Sequence, residues 1–81
     1  MHETKFAQSI LDTALNQLKK EKAKTVSRIY ISLGELSGYS PEHLQFHFDE
    51  VAKGTSAGGA LLVCETIPES AEINIDSVDI E

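Results

Sequence analysis

The chain contains no tryptophan and a single cysteine, Cys64, among its 81 residues. With only three phenylalanines and two tyrosines as aromatics, its core must be built mainly from aliphatic side chains. One cysteine rules out an internal disulfide and leaves no CxxC pair for a structural zinc. No apolar run approaches the roughly 20 residues that span a bilayer, and no signal-peptide core follows the start. These absences make the cytoplasm the expected compartment, with no membrane partner. Positive charge is also scarce: seven Lys and Arg stand against thirteen Asp and Glu, a net charge of −6. Phosphate recognition needs clustered basic residues, so nucleic acid is not an expected partner either. Nothing basic follows Lys53. Lys19, Lys20, Lys22, Lys24 and Arg28 gather in the first third, where the negative pole of a helix end accounts for them.

What is present is the patterning of one small globular domain over residues 1–81. The 41% of hydrophobic residues is enough for a core, and the 25% charged is too little to enforce disorder. Phe6, Ala7, Ile10, Leu11, Ala14, Leu15 and Leu18 recur every three or four positions, which predicts an amphipathic helix over about 4–22. In VSRIYISL, Ile29, Ile31 and Leu33 alternate with Arg28, Tyr30 and Ser32, the period of a half-buried strand. A second helix is announced by Ser40 as cap, Pro41 at its first position and Glu42 in its first turn. Leu44, Phe48 and Val51 form its buried stripe, Gly54 its stop, and Phe46 points off that stripe. ALLVCETI is apolar on both faces at its start, which predicts a central strand. In AEINIDSVDI the inward set switches from Ile73 and Ile75 to Val78 and Ile80, which requires a bulge near Asp76–Ser77. Only Pro68 to Ala71 separate these two strands, so an antiparallel hairpin is expected. The order α-β-α-β-β predicts an α+β fold, a three-stranded mixed sheet with both helices on one face.

The chemistry of greatest interest lies at the start, Met1-His2-Glu3. A free α-amine is a good nitrogen ligand once deprotonated. With that amine as anchor, the next backbone amide closes a five-membered chelate ring, and the His2 imidazole closes a six-membered ring on the same amide nitrogen. Backbone amides deprotonate for metals that favour planar nitrogen coordination, chiefly Ni(II) and Cu(II). The first amides of a helix have no intrahelical acceptor, so they are uncommitted there. A histidine at position two yields three fused donors, not four. The fourth place falls to the Glu3 amide, a partner or water, which makes an exchangeable site suited to passing a metal on. Initiator methionine is removed when a small residue follows it, and histidine is large, so the amine is that of Met1.

Other candidates carry blander readings. His43 and His47 lie four apart and share a helix face, yet surface and packing roles explain them. Cys64 lies in an apolar strand, where a thiol behaves as a small hydrophobe. Glu35 could cap the amides of its loop, or it could serve docking or orient His2; both readings stay open. The serines lack a histidine base at a suggestive spacing, and Gly34, Gly38, Gly54, Gly58 and Gly59 do not form a phosphate cradle. Catalysis is therefore not expected.

The ordered set MHE, AQSILD, ISLGELSG and SPEHLQFHFDEVAKGT resembles the HypA/HybF family of hydrogenase nickel-insertion accessory proteins. The likeness runs through residues 1–68 and resumes at INIDSVDIE. It implies a nickel metallochaperone that loads the [NiFe] hydrogenase site, in some bacteria also serving urease, with a HypB-type GTPase and the hydrogenase large subunit as partners. The family's nickel motif falls on Met1, His2 and Glu3. The family also carries a zinc-binding domain with two CxxC motifs, inserted before the last strand; here PESA stands in its place, with the junction near 68–72. Structural Zn(II) is accordingly expected to be absent. The rival expectation is an interaction scaffold that no longer delivers metal, or a self-associating fragment whose freed strand edge pairs between copies.

Overall fold

The structure, a computed structural model, describes the backbone of residues 2–81 and the side chains of residues 4–81. Five elements follow in order: α1 (His2–Lys20), β1 (Val26–Gly34), α2 (Pro41–Ala52), β2 (Leu61–Ile67) and β3 (Ile73–Ile80). They form an α+β domain, a three-stranded mixed sheet with the helices on one face. α1 lies over β1 and β3, while α2 packs beside α1 and over β2.

Ala7, Ile10, Leu11, Ala14 and Leu18 are buried along α1, the stripe expected from the sequence. The helix begins two residues earlier than its apolar pattern and ends at Lys20, because Lys22 turns left-handed (φ 54°). The Ala23 amide then donates to the Leu18 carbonyl at 3.0 Å and the Lys22 amide to Lys19 at 3.2 Å, the pair of bonds that closes a Schellman end. A side chain at such a backbone costs about 1–2 kcal/mol that glycine escapes. Lys22→Gly should therefore raise stability by about 0.5–1 kcal/mol in urea unfolding. No gain would mean that the left-handed turn is not the strained point.

α2 starts as expected, with Ser40 extended as cap and its hydroxyl accepting from the His43 amide. Leu44, Phe48 and Ala52 are buried; Val51 is only half-buried, so the stripe is completed by Ala52. Phe46 stands 59% exposed, which settles where it points.

Two expectations about the sheet are overturned. β2 is not central but an edge: the order is β2-β1-β3, with β1 parallel to β2 and antiparallel to β3. Leu61 and Val63, read as facing a second buried layer, lie exposed on the open face of the sheet. Nor do β2 and β3 form a hairpin, since β1 lies between them. Parallel neighbours require a crossover of a dozen or more residues, and α2 with its flanking loops supplies it between β1 and β2. Residues 68–72 then bridge β2 to β3 over the end of β1. Two strand spacings are about 10 Å, and five residues reach about 17 Å, so the link is long enough.

Gly34 makes that bridge possible. A Cβ there would lie 2.3 Å from the Ser70 carbonyl oxygen and 2.8 Å from that of Glu72. The strand end is stapled to the bridge instead. Gly34 donates to the Glu72 carbonyl at 2.7 Å, Glu35 to Ile67 at 2.8 Å and Leu36 to Ser70 at 2.8 Å. The bulge expected in β3 is present: Ile31 faces Ile75 and Tyr30 faces Ser77, leaving Asp76 unpaired. Its carboxylate accepts from the Ser32 hydroxyl. A second irregularity, at Ser27 of β1, turns Val26 back onto the core face. No helix among the described residues is long and apolar enough to cross a membrane.

Candidate metal centre

α1 begins at His2, so the amides at its start are those that helix geometry leaves without an intrahelical acceptor. Met1, and the side chains of His2 and Glu3, lie outside the described residues. What is described is the ground they stand on. Ala7 and Ile10 are fully buried and fix the first turns of α1 to the core. Phe6 meets the ring of Tyr39, just ahead of α2, with centroids 5.4 Å apart. Thr4, exposed on the first turn, shares a hydrogen bond with His47 of α2, Oγ1 to Nδ1 at 3.4 Å. The amino-terminal end of the helix is thus held against α2.

The remaining candidates separate cleanly. His43 is exposed near the start of α2, while His47 is half-buried and touches Phe46 edge-on at 5.5 Å. Among the described residues no three His, Cys, Asp or Glu side chains gather closely enough to hold a metal. Cys64 sits half-buried on β2, where burial first and then the Glu42 charge push its thiol above the ordinary value. Among the described residues β2 makes no close approach to α1. Glu35 caps the bridge: its Oε1 accepts from the Glu69 amide at 3.0 Å. That is the loop-capping reading. The open face of the sheet carries Tyr30, whose hydroxyl donates to Asp79 at 2.8 Å; that bond, foremost, raises the phenol above its usual range. A depression between α2 and the glycine-rich loop is held by Gln45. Its amide oxygen accepts from Leu62 at 2.8 Å and its nitrogen donates to Asp49 at 2.7 Å and Ala60 at 3.2 Å. Gln45 is thereby a clamp on the start of β2, with no donor left to offer a ligand.

The approach of His47 to Thr4 escaped the sequence reading. Spacing within α2 placed His43 and His47 on one face, but no local pattern tells which element that face meets.

The elements and their order define the fold class: a small α+β domain of the kind that a solved nickel metallochaperone displays. The solution structure of the Ni metallochaperone HypA from Helicobacter pylori superposes with a TM-score of 0.71 at 14% identity, covering 98% of this chain and 86% of that one. A second solution structure, of a HypA protein, gives 0.74 at 16% identity, over 99% of this chain and 85% of the other. Sequence carries the assignment further. The sequence model of the family described as "Hydrogenase/urease nickel incorporation, metallochaperone, hypA" matches residues 1–75, and the chain belongs to that family. The hydrogenase maturation factor HypA of Archaeoglobus fulgidus is 39% identical over 80 residues, which are 99% of this chain and 64% of that protein. That of Chlorobium limicola is 43% identical over 67 residues, 83% of this chain and 58% of its own length. The chain thus spans 58% to 64% of the length of these two relatives.

Proposed function

We propose that this domain is a non-enzymatic nickel carrier for the maturation of [NiFe] hydrogenase, and that its cargo site is the amino terminus. The Met1 amine, the His2 amide nitrogen and the His2 imidazole supply three fused donors, and the fourth place falls to the Glu3 amide, a partner or water. The reading rests on family membership combined with one structural observation: the helix starts at His2, where backbone amides are free of helical bonding. The donor set fits the ion, because planar nickel accepts amine, amide and imidazole nitrogens alike. The helix dipole opposes a cation at this end by only about 0.3–1 kcal/mol. Deprotonated amide donors outweigh that.

Residues 1–81 are read as one nickel domain, with the bridge at 68–72 standing where the resemblance implies an inserted zinc domain. A lone cysteine supports the absence of structural Zn(II). A HypB-type GTPase and the hydrogenase large subunit are the partners this reading calls for, with urease a further client and the cytoplasm the compartment. The test adds two residues ahead of Met1 and titrates Ni(II) against the extended and the unmodified chain. The extended chain should lose the site, having its amine displaced from His2. Equal stoichiometry and affinity in both would reject the amino-terminal site and favour the scaffold reading, to which exposed Phe46 would then belong.

A further inference from the structure

The sequence leaves the planar site one fused donor short, and the structure holds an imidazole, that of His47, against the first turn of α1. His47 stands on α2 between Phe46 and Phe48. Phe48 is fully buried and anchors the helix backbone at this point, while the exposed Phe46 ring braces the imidazole edge-on with an interplanar angle of 76°. On the facing helix, fully buried Ala7 anchors the first turns of α1. Between these two anchors His47 Nδ1 lies 3.4 Å from Thr4 Oγ1. Thr4 directly follows Glu3, and neighbouring Cα atoms are about 3.8 Å apart. The imidazole therefore stands within a residue or two of the amides that close the chelate.

We propose that His47 is a nickel donor: a second imidazole, presented by α2, that takes the coordination place the amino-terminal chelate leaves open. The proposal rests on the amino-terminal reading above and deepens it. A neutral imidazole is a good donor for Ni(II), and it spares the ion the deprotonation of a second amide. It also costs little to recruit. A contact of 3.4 Å is long for a bond to a hydroxyl, so releasing Thr4 forfeits a weak interaction. A donor on a separate helix gives the site a means of discharge as well. One side chain rotating away returns the ion to three fused donors and opens a place for an acceptor's ligand.

The experiment follows imidazole nitrogens by NMR in the ¹⁵N-labelled chain during addition of one equivalent of Ni(II). Affinity and the visible band are measured in parallel for His47→Gln, Thr4→Val and His2→Ala. The His47 nitrogen resonances should shift or broaden with the ion, and His47→Gln should still take one Ni(II), with affinity lowered about tenfold or more and the band displaced. Thr4→Val should keep the wild-type affinity, because it removes only the hydrogen bond. Unmoved His47 resonances overturn the proposal without need of any variant. So does a Thr4→Val loss equal to that of His47→Gln, which would make His47 a positioning residue. If His2→Ala abolishes binding while His47→Gln changes nothing, the amino-terminal site stands and the second imidazole falls. If His2→Ala binds as wild type, both fall.

Discussion

Replacing Gly34 with alanine is expected to destabilise the domain by about 3 kcal/mol. The added methyl would sit 2.3 Å from the Ser70 oxygen, 2.6 Å from the Ser70 carbonyl carbon and 2.8 Å from the Glu72 oxygen. All three are backbone atoms, so no rotamer change relieves them. Either β1 or the bridge must move, and both are stapled to each other. Moving them apart breaks the Gly34–Glu72 and Leu36–Ser70 bonds, each worth about 1 kcal/mol net. Backbone displacement from overpacking adds about 1–3 kcal/mol. A domain of this size holds only about 4–12 kcal/mol in total. The variant should therefore melt more than about 10 °C lower, given about 4–8 °C per kcal/mol. Thermal and urea unfolding check this. A loss below about 1 kcal/mol would mean that the bridge can yield without breaking its bonds.

This bridge also shows where local pattern stops informing the fold. The bulge at Asp76 was legible because the apolar set of β3 changes parity, and parity is fixed by the pleat. The cap of α2 was legible because Ser40, Pro41 and Glu42 each suit one position only. Strand order was not legible from the same kind of signal. Leu61 and Val63 look like residues buried on a second face, yet that face is open, and their apolar character does not reveal it. A short link between two strands reads as a hairpin unless a third strand is known to lie between them. The sign was Gly34, a glycine ending a strand, whose meaning depends on what passes over it. Lys22 gave no sign at all, since lysine is not a residue that marks a left-handed turn. In the candidate site, Glu35 was left between two roles and the Glu69 amide decides for the cap. The meeting of Thr4 with His47 joins positions 43 apart, beyond the reach of any helical or strand period.

Acetylating the amine of Met1 should abolish planar nickel binding while leaving the fold slightly firmer. Those opposite signs separate loss of a ligand from loss of structure. The amine anchors the chelate: with it bound, the His2 amide nitrogen is held at the ion in a five-membered ring, and its deprotonation is favoured by proximity. Without it, Ni(II) meets only imidazoles with no ring to hold the amide. Affinity should fall at least about a hundredfold, or about 2.7 kcal/mol. The yellow d–d band of planar nickel should vanish with it. Stability should move the other way. Acetylation removes a positive charge from the positive pole of α1, which relieves about 0.3–1 kcal/mol of repulsion. A chain that melts higher yet no longer turns yellow has lost a donor and nothing else. A chain that keeps the band after complete acetylation, verified by mass, carries its nickel on other groups. Gly34→Ala supplies the converse control, since below its melting temperature it should lose stability and keep the band.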